Sequence, residues 1–236
     1  MPSALQSRVR IVLIRPRNPL NIGAVARAMS NFGFSQLRVV NPYEVAFREA
    51  RSAVGASPVL HHAQEYKAVP EAVRDCSLIV GTTALGHRQS QHAVMRLDQS
   101  TQLMLGNAAP LALLFGSEKV GLSNEDLSYC HSILRIPTRE ENLSMNLGQA
   151  VAVCLYEITR EPNVVLASGQ REPATGEEIE RITGVLSDAL RTSGYTKKGA
   201  LPSTTEKVRR LVYRLNLSSN DAELLLGMLR KISRRE

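Results

Sequence analysis

Short polar side chains crowd one loop of the chain, ahead of a strongly amphipathic segment. The loop carries Asn142, Ser144 and Asn146, and apolar residues then recur at the i, i+3, i+4 spacing of a helix that buries one face. Ser and Asn side chains can bind a ligand's hydroxyl or charged groups, and they can equally cap the first N–H groups of a helix. Both interpretations place Ser144 and Asn146 at the start of this helix.

Alternating strand and helix patterns position this loop. Continuous runs of Val, Ile and Leu are typical of strands in a parallel sheet that is covered on both faces. They predict strands at residues 9–14, 37–40, 78–81, 111–115 and 133–136. Helical patterns lie between them at about residues 22–32, 47–53, 70–76 and 124–131. The sequence therefore predicts an α/β domain.

The loops that follow these strands are expected to meet. In a parallel sheet, ligands bind beyond the carboxyl ends of the strands. The loops there hold more Gly, Asn, Ser and charged residues than a tight connection needs: RPRNPLNIG, GTTALGHRQ, FGSEKVGL and IPTREENLSMN. The sequence predicts one site at this edge, although the common glycine-rich nucleotide fingerprints are absent.

Neither metal binding nor a disulfide framework is indicated. Cys76, Cys130 and Cys154 are an odd number with no C-x-x-C pair, and we expect all three to be buried as small apolar residues. His61 and His62 are adjacent on a segment expected to be extended, where they would point to opposite faces. Because no third ligand is evident, we predict no metal site.

Composition narrows the class of protein. With 236 residues and 43% apolar content, the chain can build a substantial core. It has no apolar run long enough to cross a membrane and no signal-peptide pattern, so we expect a cytoplasmic location. The net charge of +7 favours a polyanionic partner, whereas 4% aromatic content disfavours a single-strand binder built on stacking.

The pattern changes near residue 161. Two prolines and two glycines within residues 161–176 predict a linker at residues 161–174. Three amphipathic helices then predict a small helical extension over residues 175–236. The apolar positions expected to face inward in the last two helices are Val208, Leu211, Val212, Leu215, Leu224, Leu225, Met228, Leu229 and Ile232. Lys207, Arg210 and Arg214 share a helical spacing and form either a solvated basic face or a phosphate-binding one.

Three blocks of sequence resemble motifs 1, 2 and 3 of the SPOUT superfamily, TrmH class, of S-adenosylmethionine-dependent RNA ribose 2′-O-methyltransferases. They are N-x-G-x-x-x-R at residues 21–27, F-G-x-E-x-x-G-L at residues 115–122, and I-P with L-S-M-N at residues 136–137 and 143–146. The resemblance spans residues 8–160 and departs at Met145, where many relatives have Leu. The C-terminal segment resembles the extension of the TrmJ branch, which modifies nucleotide 32 of the tRNA anticodon loop.

The resemblance implies a fold, an assembly and a cofactor. It implies a parallel-sheet domain at residues 1–160 with a deep C-terminal trefoil knot, and a homodimer. S-adenosylmethionine is expected to be held mainly by backbone groups of Thr82, Thr83, Gly116, Ile136, Leu143, Ser144 and Met145. Glycine suits position 116, because a Cβ there could obstruct the approach of the adenosine.

The resemblance also implies a catalytic group, which comprises Arg27, Asn21, Glu118, Ser144 and Asn146. Arg27 is assigned to the ribose hydroxyl and the adjacent phosphate. Because the guanidinium pKa lies above about 12, we favour electrostatic stabilisation over general-base catalysis, and both remain open. Asn21 is expected to orient Arg27 or to cap the first helix, and Glu118 to anchor its own loop.

The predicted function is 2′-O-methylation of tRNA, at cytidine or uridine 32. The residues expected to bind RNA are Arg27, Lys197, Lys198, Lys207, Arg210 and Arg214. One alternative is methylation of ribosomal RNA or of another tRNA position. A second alternative is a non-catalytic RNA-binding protein with the same fold.

Overall fold

Seven strands form one sheet in the computed structural model, which describes residues 4–52, 57–84, 94–160, 172–196 and 201–233. The strands are β1 (Val9–Ile14), β2 (Leu37–Val40), β3 (Gln64–Tyr66), β4 (Leu78–Thr82), β5 (Val94–Arg96), β6 (Leu111–Phe115) and β7 (Ser132–Arg135). Their order is β3-β2-β1-β6-β4-β7-β5, and every neighbouring pair is parallel. The predicted parallel sheet is confirmed.

The five strands predicted from apolar runs are all present, each within one residue of its predicted bounds. The sequence pattern missed β3 and β5 because each is three residues long and neither is fully buried. Strands of this kind lie at the two edges of the sheet and have no continuous apolar run to mark them.

Eleven helices are found among the described residues. Those of the sheet region are α1 (Ala4–Arg8), α2 (Pro19–Asn31), α3 (Glu44–Ser52), α4 (Pro58–His61), α5 (Val69–Val73), α6 (Leu97–Leu105), α7 (Asn124–Ser128) and α8 (Leu147–Arg160). The last three are α9 (Gly176–Thr192), α10 (Leu201–Arg214) and α11 (Ser219–Ser233). The sequence did not predict α1, α4 or α6. His61 ends α4 and His62 follows it, so the extended segment expected there is wrong.

Both faces of the sheet are buried, which explains the continuous apolar runs. Along β1, Ile11 and Leu13 face a cluster shared with α2 and α8, whereas Val12 and Ile14 face a second cluster. The second cluster is completed by α5, α7 and the three C-terminal helices. None of the helices in the described ranges is long and apolar enough to span a membrane.

The C-terminal helices share the core of the sheet. Ile179 and Ile182 of α9 and Val212 and Tyr213 of α10 are buried in the same cluster as the residues of β1, β4 and β6. The first N–H groups of α9 donate to carbonyls beyond α5, with Gly176 N 2.8 Å from Cys76 O. A Cβ at Gly176 would lie 2.7 Å from Val73 O, so only glycine permits this close approach.

The inward faces predicted for α10 and α11 are partly wrong. Val208 and Val212 are buried and Leu225 and Leu229 pack on the core, as predicted. Leu211, Leu215, Leu224, Met228 and Ile232 are instead about half exposed or more. Each of the two helices packs against α9, so only a narrow stripe of each is covered.

Candidate active site

A cavity of about 630 Å³ lies beyond the carboxyl ends of β4, β6 and β7, beside the start of α8. The seven residues predicted to hold the cofactor all line it: Thr82, Thr83, Gly116, Ile136, Leu143, Ser144 and Met145. Four of the five predicted catalytic residues line it as well: Asn21, Glu118, Ser144 and Asn146. The cavity therefore lies at the sheet edge where the sequence predicted a site.

The motif 2 loop, residues 116–122, folds back on itself to form one wall. Ser117 and Gly121 form an antiparallel bridge, in which Gly121 N donates to Ser117 O at 2.8 Å. A Cβ at Gly116 would lie 2.0 Å from the carbonyl carbon of Gly121. The loop's own backbone thus excludes a side chain at position 116, a constraint that the sequence did not predict. Gly121 itself has a φ of +68°.

Three side chains join the three motifs by hydrogen bonds. Asn21 donates from Nδ2 to Glu118 Oε1 at 3.0 Å, and its Oδ1 accepts from Asn146 Nδ2 at 2.9 Å. Glu118 also accepts from the backbone N–H groups of Arg17 at 3.2 Å and Asn18 at 3.3 Å. Each amide group is thereby oriented at both ends, and Glu118 anchors its loop as predicted.

Close packing of α8 on α2 makes the hydrogen bond between Asn146 and Asn21 possible. A Cβ at Gly148 would lie 2.6 Å from the Cβ of Ala24, so the missing side chain lets the two helices approach. Asn146 caps α8, because its Oδ1 accepts from Gly148 N at 2.9 Å. The side-chain Nδ2 of Asn146 remains available to donate to Asn21, so Asn146 caps α8 and bonds to Asn21 at the same time.

Asn21 does not cap the first helix of the site. That cap is Asn18, whose Oδ1 accepts from Leu20 N at 2.9 Å. The sequence carried this signal, since Asn18 stands directly before Pro19 at the first helical position. Asn21 has both ends of its amide engaged elsewhere, so the expectation that it orients Arg27 is not supported.

Arg27 lies apart from the other predicted catalytic residues. It is exposed on α2 six residues beyond Asn21, which is about 9 Å along the helix axis. Within the described residues it makes no hydrogen bond or ion pair, and it does not line the cavity. Its guanidinium is therefore free to meet a group from outside this protomer's cavity.

Ser144 and Lys119 present polar groups to the cavity. Ser144 is exposed and its hydroxyl has no hydrogen-bond partner in the described part of the chain. Lys119 also lines the cavity and was missed, as was Thr138, whose Oγ1 donates to Leu143 O at 3.4 Å. Both residues lie inside the polar loops from which the sequence predicted a site. Their position in those loops is the signal that could have found them.

The cavity lacks an obvious general base. Among the described residues that line it there is no His, Cys or Asp, and its only carboxylate, Glu118, accepts three hydrogen bonds. All three cysteines are buried, and burial raises the pKa of the Cys76 and Cys154 thiols to about 12. Thiolate chemistry is thereby excluded at these positions.

The predicted RNA-binding residues differ in their placement. Lys207 and Arg214 are exposed on α10, but Arg210 is 8% exposed and forms an ion pair with Glu206 at 3.3 Å. Arg210 therefore cannot belong to an exposed basic face, which corrects that prediction. Lys197 and Lys198 lie outside the described residues.

Comparison with known proteins identifies the family. The profile of the SpoU rRNA Methylase family matches residues 8–156. The tRNA (cytidine/uridine-2′-O-)-methyltransferase TrmJ of Sodalis glossinidius is 33% identical over 241 residues, which cover 95% of this chain and 91% of that protein. The Klebsiella pneumoniae TrmJ is 34% identical over 235 residues, which cover 95% of this chain and 96% of that protein.

A solved structure agrees over nearly the whole chain. The crystal structure of TrmJ from Z. mobilis ZM4 has a TM-score of 0.82 and 32% identity, with coverage of 94% of this chain and 98% of that chain. The shared fold, the three motifs around one cavity and these relatives together show that the chain belongs to the SpoU methylase family, as its sequence motifs predicted.

Proposed function

We propose that this protein transfers a methyl group from S-adenosylmethionine to a ribose 2′-hydroxyl of tRNA. The observation that carries the proposal is the meeting of the three motif loops around one cavity, held together by the Glu118–Asn21–Asn146 hydrogen bonds. Relatives that match almost the full chain are named tRNA (cytidine/uridine-2′-O-)-methyltransferases, which supports tRNA as the substrate.

The cavity suits a nucleoside-sized cofactor. Its volume of about 630 Å³ lies within the range of roughly 300–1,000 Å³ that is typical of small-molecule sites. Leu122, Leu134 and Ile136 offer apolar surface to a purine ring, and the loops at residues 82–84 and 143–145 offer backbone groups for hydrogen bonds. When bound, S-adenosylmethionine supplies a methyl group on a positively charged sulfur, which is already a good leaving group.

The protein's own part is alignment and charge stabilisation. The ribose 2′-oxygen attacks the methyl carbon, the carbon–sulfur bond breaks, and the 2′-proton leaves to phosphate or water. Holding the reacting atoms in line can remove about 7–11 kcal/mol of the barrier. We assign Ser144 to hold the ribose or the methionine end of the cofactor, and Arg27 to bind the phosphate and stabilise the developing alkoxide.

The placement of Arg27 favours a homodimer. Arg27 is exposed and does not line the cavity of its own protomer, so a second copy could bring it to a substrate bound in the partner's cavity. We also propose the trefoil knot that the family resemblance implies. We propose a cytoplasmic location, as expected from the sequence, because the proposed substrate is tRNA.

The C-terminal helices are proposed to contribute to tRNA binding. The net charge of +7 favours a polyanion, and the exposed Lys207 and Arg214 can contact phosphates. Within tRNA, we propose cytidine or uridine 32 of the anticodon loop, following the resemblance of the C-terminal segment. Methylation of ribosomal RNA remains the second candidate, because the family profile carries that name.

Methyl transfer to unmodified tRNA, followed by nucleoside mass spectrometry and mapping of the modified position, tests the proposal. We expect a 2′-O-methylated cytidine or uridine at position 32. Methylation at another tRNA position would overturn only the choice of nucleotide. Transfer to ribosomal RNA alone would favour the second candidate, and cofactor binding without transfer to either RNA would favour a non-catalytic role.

A further inference from the structure

Arg15 stands where β1 ends and the first motif loop begins, and its backbone is strained. Its φ is 51°, in the left-handed region that glycine and asparagine tolerate best. Its N–H donates to Val40 O at 2.9 Å. A residue other than glycine keeps such a conformation only where its surroundings hold it, and such positions cluster near functional sites.

The side chain of Arg15 is held by a buried carboxylate. The guanidinium forms a bidentate ion pair with Asp126, with 3.1 Å between Nη1 and Oδ1 and a second contact between Nη2 and Oδ2. The Asp126 side chain is 4% exposed and also accepts from the N–H and the hydroxyl of Ser123, both at 2.7 Å. This hydrogen-bonded partner raises the pKa of Arg15.

The ion pair fastens the far end of the motif 2 loop. Near the start of the loop, Glu118 accepts from the N–H groups of Arg17 and Asn18. Just beyond its end, Ser123 donates to Asp126, and Asp126 in turn pairs with Arg15. One short segment, residues 15–18, therefore holds the loop on both sides, and that loop supplies a continuous wall of the cavity from residue 116 to residue 122.

We propose that Arg15 and Asp126 are positioning residues, which set the motif 2 loop in the conformation that binds the cofactor. Neither residue lines the cavity in the described part of the chain, so any effect on the cofactor must act through the loop. The inference deepens the proposed function, because the ligand concerned is S-adenosylmethionine.

Two single variants and their combination test the pairing. Asp126→Asn keeps the shape of the side chain and an acceptor for Ser123 but loses the charge. Arg15→Asn removes the guanidinium while retaining a residue that tolerates the left-handed backbone. We expect each variant to raise the calorimetric Kd for S-adenosylmethionine about tenfold, which corresponds to about 1.4 kcal/mol. The double variant is expected to be no worse than either single one, because the two residues act as a unit.

A second Arg–Asp pair provides the matched control. Asp75 accepts two hydrogen bonds from Arg38, at 2.5 and 2.9 Å. Arg38 lies on β2 and Asp75 follows α5, and neither residue lines the cavity. Asp75→Asn should lower the melting temperature but change the Kd less than twofold. An equal rise in Kd in Asp75→Asn, or an unchanged Kd in folded Arg15→Asn and Asp126→Asn, would overturn the proposal.

Hydrogen exchange without ligand separates this inference from the proposed function. The Gly121 amide donates within the motif 2 loop and the Ser123 amide donates to Asp126, so both should be protected in the wild type. We expect their exchange to accelerate in Arg15→Asn but not in Asp75→Asn, whether or not the protein binds S-adenosylmethionine. Unchanged exchange in Arg15→Asn would refute the positioning role, and failure of the wild type to bind the cofactor would refute the proposed function alone.

Discussion

Gly116→Ala should remove most of the methyl transfer. A Cβ at this position would lie 2.0 Å from the carbonyl carbon of Gly121, 2.2 Å from Leu122 N and 2.3 Å from Gly121 O. All three are backbone atoms, which cannot rotate away as a side chain can. Since ordinary contact begins at 3.4 Å, the loop would have to move by about 1.4 Å. A displacement of this size in a site that aligns reactants can lower the rate about 100-fold.

The same clash should destabilise the fold moderately. Overpacking costs about 1–3 kcal/mol, and in a chain of this size each kcal/mol lowers the melting temperature by roughly 2–4 °C. Gly184→Ala is the matched control, because a Cβ there has no atom within 4 Å and the residue lies inside α9. That control should gain about 0.5–1 kcal/mol and keep its activity.

Three measurements on both variants decide the outcome: thermal unfolding, calorimetric affinity for S-adenosylmethionine, and methyl transfer to tRNA. The reasoning requires that activity and affinity fall well below those of the control at a temperature where both proteins are folded. If Gly116→Ala binds the cofactor and transfers methyl within twofold of the wild type, the loop tolerates a side chain and the steric argument is wrong.

Three further predictions concern side chains elsewhere in the chain. Arg27→Ala should keep cofactor affinity, because Arg27 does not line the cavity, and should lose about 100-fold or more in methyl transfer; near wild-type turnover would remove Arg27 from the mechanism. Replacing Lys207 and Arg214 together by Gln should weaken tRNA binding and reduce the slope of log K against log salt concentration by up to about 2, as measured by filter binding. The melting temperature should not change. An unaltered slope would exclude phosphate contacts by these two residues. Burial lowers the pKa of His131 from 6.5 to about 4, so the stability that neutral His131 contributes is complete above pH 6.5 and is lost as the pH falls towards 4. The loss amounts to at most about 3 kcal/mol, and His131→Asn should flatten the pH profile of urea unfolding in this window; a slope equal to that of the wild type would contradict the assignment.

The main strands could be predicted because each is covered on both sides. Their apolar runs can be recognised without knowing which strands pair. Helix caps can also be recognised from the sequence, because they depend on residues a few positions apart. Ser123 with Asp126 and Thr175 with Glu178 have the three-residue spacing of a capping box in the sequence, and both capping boxes are present. Local chemistry thus determines these features.

The contacts that unite the site join distant parts of the chain. Asn21 bonds to Glu118 across 97 positions and to Asn146 across 125 positions, and no periodicity marks such a pair. The motif resemblance indicated that these residues belong together, but it did not indicate which side chain holds which. The steric constraint on Gly116 became clear only from the three-dimensional arrangement.

Helical spacing predicted which residues share a face, but not how much of that face a neighbour covers. Leu211 and Leu215 share a side of α10 with buried positions, yet they are 49% and 50% exposed. Arg210 has a spacing suited to the exposed basic face but is buried beside Glu206. Side-chain pairing decides such cases, and a pattern of apolar positions does not contain that information.

The shared core beneath the C-terminal helices has a consequence for synthesis on the ribosome. When translation has just completed β7, one side of the sheet still exposes Val12, Ile14 and Ile79 to water. About 100 further residues must follow before α9 to α11 can cover it, which takes about 5–20 s at common elongation rates. During that interval the nascent chain offers an apolar surface to chaperones or to other nascent chains. Messages truncated after α8 should therefore yield aggregates rather than a smaller working enzyme.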